Sequence, residues 1–130
     1  MALRMLIIDD EPEICDFLRD IAIEVGYEVV TANRAEEFKA AFAEMRADVI
    51  LLDLTLPGTD GIELLKYMAE MGTKARILIV SGYDESIRRM AHTIGKAKGL
   101  DMAGVLGKPL RVADLRGLLT QFQRDAESAR

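Results

Sequence analysis

Cysteine occurs once in this chain, at position 15, so no internal disulfide can staple it. Histidine also occurs once, and a lone His92 supports neither a Ser-His-Asp triad nor a multi-histidine metal site. It sits among residues with an apolar helical face, and reads as a partly exposed surface residue. Three prolines, with half the residues apolar and 30% charged, argue against disorder or a collagen-like repeat. No run approaches the ~20 apolar residues of a membrane span. Met1 to Ile8 passes straight into acidic residues, without the apolar length and small-residue cleavage site of a secretory signal. No basic block is present, and 17 basic against 22 acidic residues give a net charge of -5, which disfavours direct nucleic-acid binding. These absences point to a cytoplasmic globule with no membrane partner. At 130 residues it is expected to be a single domain, burying roughly two thirds of its unfolded surface and needing no staples.

What is present is an alternation. Short apolar runs at Met5–Ile8, Tyr27–Ala32, Val49–Leu52, Ile77–Val80 and Ala103–Leu106 are separated by longer amphipathic stretches. Strict succession of this kind predicts a parallel sheet with crossover helices. The first, third and fourth runs are unbroken, as in strands covered on both faces. The second holds Glu28 and Thr31 and the fifth holds Gly104, which places them at the edges. The helical series are Ile14, Phe17, Leu18, Ile21, Val25; Phe38, Ala41, Phe42, Met45; Leu64, Leu65, Met68, Met71; Ile87, Met90, Ala91, Ile94; and Val112, Leu115, Leu119, Phe122. Pro12 suits a first helical position, Gly26 and Gly72 suit helix ends, and Pro57-Gly58 marks a loop. Cys15 reads as a small packing residue, and the methionines as gap filling. The core spans about residues 4–122, and the polar tail 123–130 is expected to fray. No linker or internal repeat is visible.

The chemistry sits where the strands end. Asp9 and Asp10 close the first, Asp53 the third and Ser81 the fourth, and Lys108 lies just past the fifth. In an open parallel sheet these points share one edge, where ligands bind. Three carboxylates so close cannot all stay charged and unpaired; one pKa rises, or a cation neutralises them. Magnesium suits the task, because it uses one or two protein carboxylates, keeps waters and leaves coordination free for phosphoryl oxygens. Ser81 and Lys108 can both donate to an anionic oxygen. An aspartate can act as a covalent nucleophile and form an aspartyl-phosphate, with metal, Lys108 and Ser81 neutralising the transferring group.

Taken together, Asp9-Asp10, Asp53 with Pro57 and Asp60-Gly61 downstream, Ser81-Gly82 and Lys108-Pro109 resemble the receiver domain of two-component response regulators. The resemblance covers about residues 4–122. It implies an α/β fold of the flavodoxin-like doubly wound type, a (βα)5 sandwich with a five-stranded parallel sheet in the order 2-1-3-4-5. Asp53 is then the phosphoacceptor. Asp10, Asp53 and the carbonyl of Thr55 ligate magnesium, with manganese as a substitute, and Asp9 acts mainly through metal-bound water. Ser81 takes the hydroxyl role that moves toward the phosphoryl group, Lys108 pairs with Asp53 or its phosphate, and the Lys108-Pro109 bond is expected to be cis. The implied phosphodonor is a sensor histidine kinase or phosphotransfer protein. The implied output surface is the fourth helix, fifth strand and fifth helix, where an output domain or partner protein docks; dimerisation stays open.

One position departs from the pattern. Receivers usually carry an aromatic residue three places before the lysine, and here that place holds Val105. Hydroxyl-aromatic coupling is therefore in question; Tyr83 is a candidate substitute, and Tyr83 and Thr55 fall where the family tunes autodephosphorylation. The stretch from Gly99 to Pro109 also resembles receivers joined to cyclic-dinucleotide phosphodiesterase (EAL) domains, and no such output domain lies within these residues. Beside this reading, isolated acidic residues at strand ends are commonly turn formers or caps. Arg88, Arg89, Lys96 and Lys98 are most simply a solvated face. An aspartyl-phosphate hydrolase is the enzymatic rival, but Thr55 stands where such enzymes place a second aspartate. A phosphorylation-independent adaptor is the other. The expectation is a signalling domain whose only catalysis is slow magnesium-dependent self-phosphorylation and autodephosphorylation.

Overall fold

The computed structural model describes residues 2–56, 60–82 and 85–129. Five strands alternate with five helices: β1 (Arg4–Ile8), α1 (Pro12–Val25), β2 (Glu28–Ala32), α2 (Ala35–Glu44), β3 (Val49–Asp53), α3 (Asp60–Glu70), β4 (Arg76–Ser81), α4 (Glu85–Ala97), β5 (Asp101–Gly107) and α5 (Val112–Ser128). All strand pairs are parallel, in the order β2-β1-β3-β4-β5. This is the doubly wound, flavodoxin-like arrangement expected from the alternation, with the two broken runs at the edges. Pro12 opens α1, and Gly26 and Gly72 take left-handed backbone angles of φ 115° and 69° just past helix ends.

The sheet is apolar on both faces because side chains alternate along each strand. Leu6, Ile8, Ile50, Leu52, Ile77 and Ile79 meet Phe38 of α2, Leu64, Leu65 and Met68 of α3, and Ala91 of α4. Met5, Ile7, Val49, Leu51, Leu78 and Val80 meet Cys15, Leu18, Ile21 and Ala22 of α1 with Leu115, Leu119 and Phe122 of α5. Cys15 is thus a core residue, as expected. Three residues placed on helical apolar series are instead exposed: Phe17 (46%), Met71 (57%) and Met90 (51%). Phe17 lies about 100° around the helix from Leu18, off the stripe that reaches the sheet. Met71 lies beyond the last turn of α3, where the chain leaves through Gly72. Met90 faces outward because α4 seats on Ala91 and Gly95, both buried. A side chain at Gly95 would run into the Met102 thioether, which would have to move aside.

β5 begins two residues earlier than its apolar run suggests, and it carries an irregularity. Ile77 faces Met102 but Leu78 faces Gly104, leaving Ala103 as an extra residue. An inserted residue reverses the alternation of the side chains. Met102 and Val105 therefore share one face, and Ala103 and Leu106 the other. The shifted register ends with Ser81 opposite Gly107, which delivers Lys108 to the sheet edge.

The polar tail expected to fray is helical as far as Ser128. The reason is tertiary. Arg76 at the start of β4 pairs with Asp125 at 2.5 Å and Asp101 at 3.5 Å, and its guanidinium lies 5.0 Å from the centre of the Phe122 ring. Gln123 Nε2 donates to the Val25 carbonyl at 3.0 Å. Arg76→Ala is expected to speed amide exchange severalfold across residues 122–128 while leaving the protection of β1 and β3 unchanged. Hydrogen-exchange mass spectrometry reads this directly, and equal protection of the tail in both proteins would contradict it.

Candidate functional site

Just past the ends of β1, β3 and β5 the backbone is still held by the neighbouring strand, which fixes where the chain leaves the sheet. The Asp9 N–H donates to the Ala32 carbonyl at 3.2 Å, and the Leu54 N–H, just past Asp53, donates to the Val80 carbonyl at 3.1 Å. The Lys108 N–H donates to the Ser81 carbonyl at 2.9 Å. These bonds bring Asp9, Asp53, Ser81 and Lys108 to the carboxyl edge predicted for them. Asp9, Asp53 and Ser81 are fully buried, while Asp10 is exposed at the rim.

One ammonium serves two carboxylates. Lys108 Nζ lies 3.1 Å from Asp9 Oδ2 and 3.2 Å from Asp53 Oδ2, with 18% of its side chain exposed. The other oxygens are held locally. Asp9 Oδ1 accepts the Glu11 N–H at 2.9 Å, and Asp53 Oδ1 accepts both the Thr55 N–H at 2.9 Å and the Thr55 hydroxyl at 2.6 Å. The Lys108-Pro109 peptide is cis. Gly61, in the first turn of α3, backs this loop: a Cβ there would lie 3.1 Å from Leu54 Cα.

Charge in this corner does not balance. At an effective dielectric of ~20, unit charges ~3 Å apart interact by about 5 kcal/mol, so Lys108 matters to both partners, yet it neutralises only one. Burial pushes the Asp9 carboxyl up to about 6; the Glu11 N–H opposes this, the Asp53 charge adds to it, and Lys108 opposes it again. For Lys108, burial works against the charged form, but the charges of Asp53 and Asp9 and the hydrogen bonds to them prevail and raise its pKa. Carboxylate oxygens of Asp9, Asp10 and Asp53 all lie within 4.8 Å of one another. A crowd of hard oxygen donors, carrying more negative charge than the single ammonium can offset, fits a divalent cation of the magnesium type.

Two consequences can be measured without metal. A carboxyl with a raised folded-state pKa binds its proton more tightly folded than unfolded, so its contribution falls as pH rises from about 4, its ordinary value, through about 6. In EDTA, urea unfolding of the native protein is expected to lose roughly 3 kcal/mol relative to Asp9→Asn over that interval. A stability difference independent of pH would refute it. Lys108→Ala removes the shared cation and is expected to destabilise the metal-free fold by about 3 kcal/mol. Millimolar magnesium should restore part of that loss, as seen in thermal melts.

Two contributors, Asn33 and Glu11, carried no signal in the sequence, and Gly61, part of the Asp60-Gly61 motif, proves to act sterically. Asn33 donates through Nδ2 to the Asp9 carbonyl at 3.0 Å. Glu11 acts through its backbone, and Gly61 through its lack of a side chain. Arg88, read as a solvated residue, is partly buried, with its guanidinium 3.0 Å from where a Cβ on Gly107 would sit. Arg89 is exposed and pairs with Glu85 at 2.8 Å. His92 is partly exposed as expected, although its Nδ1 is buried without a hydrogen-bond partner, and it lines a shallow hollow with Arg89, Thr93 and Val105. Pro57, Gly58 and Tyr83 lie outside the described residues, as does the side chain of Asp60. Among the described residues no helix is long and apolar enough to cross a membrane.

Comparison with known proteins agrees with this geometry. Among curated proteins, the chain is 31% identical to the transcriptional regulatory protein TrcR of Mycobacterium tuberculosis, over 98% of this chain and 50% of TrcR. It is 28% identical to sporulation initiation phosphotransferase F of Bacillus subtilis, over 92% of each chain. It therefore spans about half the length of the transcriptional regulators it matches, and nearly all of the phosphotransferase. Among solved structures, a response regulator from Colwellia psychrerythraea superposes with a TM-score of 0.84 at 28% identity, covering 96% of this chain and 99% of that one. The profile of the response regulator receiver domain matches residues 5–120. With that match over nearly the whole chain, and the buried acidic corner at the carboxyl edge of its sheet, this protein belongs to the response regulator receiver domain family.

Proposed function

We propose that Asp53 is the phosphoacceptor of a two-component signalling pathway, supplied by a histidine kinase or phosphotransfer protein in the cytoplasm. The observation that carries this is the placement of Asp53, fully buried, with Oδ2 on the Lys108 ammonium and Oδ1 on the Thr55 N–H and hydroxyl. In the transfer, a carboxylate oxygen of Asp53 forms a bond to phosphorus as the bond from phosphorus to the donor's imidazole nitrogen breaks. Lys108 stays protonated throughout, because its two carboxylate neighbours hold its pKa up, and it offers N–H donors to the incoming oxygens. Ser81, buried at the end of β4 opposite Gly107, would supply a hydroxyl donor. Thr55, whose hydroxyl already engages Asp53, would set how readily that carboxylate is reached.

Asp10, Asp53 and the Thr55 carbonyl would hold magnesium, with Asp9 acting through a bound water. When bound, the ion would offset the negative charge of the carboxylates and of the phosphoryl oxygens. The output face of this reading is α4, β5 and α5. Partly buried Val105 shares the sheet face with Met102, so no aromatic at that place reports the state of the site.

Incubation of the full chain with magnesium and acetyl phosphate tests this, followed by intact mass and peptide mapping. A single persistent phosphoryl group on Asp53, absent in Asp53→Asn and dependent on magnesium, is the expected result. Rapid phosphate release without accumulation would point to a hydrolase, and no labelling at all to an adaptor. Either outcome defeats the proposal.

A further inference from the structure

Asn33 lies between β2 and α2, in neither element, and its two hydrogen bonds bracket the acidic corner. Its backbone N–H donates to Glu37 Oε1 at 2.9 Å, and its carboxamide Nδ2 donates to the Asp9 carbonyl at 3.0 Å. Strand register explains why. Arg4 faces Glu28 and Ile8 faces Ala32, so the next pair in line is Asp9 with Asn33. The ladder runs from the Glu28 N–H on the Leu3 carbonyl to the Asp9 N–H on the Ala32 carbonyl. By the same alternation, the Asp9 carbonyl is due an N–H from Arg34. At Arg34, however, the chain turns off to begin α2. The Asn33 carboxamide supplies the rung that the backbone leaves out.

That rung falls on a peptide of particular weight. The Asp9 carbonyl and the Asp10 N–H belong to one planar unit, so fixing the carbonyl fixes the plane between two of the three carboxylate-bearing residues. Asp9 must turn inward to Lys108 while Asp10 stays at the rim, and both must keep an oxygen within 4.8 Å of Asp53. A neutral donor suits this place. It holds the carbonyl without adding a positive charge that would compete with a cation, and Glu37 in the first turn of α2 keeps its backbone in position.

We infer that Asn33 is a positioning residue of the cation site, its carboxamide setting the Asp9–Asp10 peptide so that these carboxylates converge with Asp53 on a divalent ion. This rests on the reading that the acidic trio binds magnesium. The test is calorimetric titration of magnesium into the full chain, with Asn33→Ala and Asn33→Leu beside the native protein. It is combined with the Asp10 amide shift in nitrogen-15 NMR and unfolding in EDTA. The expected result is magnesium affinity lowered about tenfold in both variants. The Asp10 amide should move upfield without metal, with little change in the unfolding midpoint. Glu37→Gln, which keeps an acceptor for the Asn33 N–H, should bind magnesium as the native protein does, and Glu37→Leu more weakly, which covers the case in which Asn33 variants fold poorly. Native affinity in the Asn33 variants, or an unmoved Asp10 amide, would overturn the inference while leaving the proposed function intact. Failure of the native protein to bind magnesium would overturn both.

Discussion

The corner of this domain depends on one ammonium group shared by two carboxylates that have been taken out of water. Lys108 sits 3.1 Å and 3.2 Å from Asp9 and Asp53, neither of which is exposed. Removing carboxylates from water is costly, and a single cation cannot offset both. The remaining demand is met by short local donors: the Glu11 N–H for Asp9, and the Thr55 N–H and hydroxyl for Asp53. The corner still carries surplus negative charge, a balance that suits a divalent cation.

Such an arrangement needs a stiff support, because misplacement by an ångström would undo the balance. The sheet supplies it. β1, β3, β4 and β5 are parallel, and their carboxyl ends stop at a common level, so groups far apart in the chain meet without any loop having to fold over them. Two local features adjust the fit. The extra residue at Ala103 brings β5 into the register that puts Lys108 beside Ser81, and Gly61 lets α3 press against the turn that follows Asp53. The same sheet carries an independent charge cluster at its opposite edge. There Arg76 ties β4 to Asp101 and Asp125, and so anchors the last turns of α5.

Much of this was legible before any coordinates. Unbroken apolar runs announced strands covered on both faces, and Glu28, Thr31 and Gly104 marked the edges. Asp9, Asp10, Asp53, Ser81 and Lys108 announced themselves because parallel strands leave their carboxyl ends together. Less legible were residues whose importance is relational. Asn33 is one polar residue in a turn, and only the β1/β2 register shows that it faces Asp9. Phe17 and Met90 satisfy a helical spacing, but which side of a helix meets the sheet depends on where its neighbours sit. The tail 123–130 is polar in composition, and its helical part, as far as Ser128, is tied down by Arg76, nearly fifty places earlier in the chain, and by the Val25 carbonyl.

Composition and periodicity were enough to specify strands, helices, their alternation and the chemical types gathered at one edge, since these follow from local patterns of apolar and polar residues. Packing in three dimensions settled the rest: which carboxylates are buried, that one lysine serves two of them, how far Asp9 resists ionisation, and that β5 shifts by a residue. Those outcomes are set by distances between groups remote in the chain and by their exclusion from water, and neither quantity exists until the elements have come together.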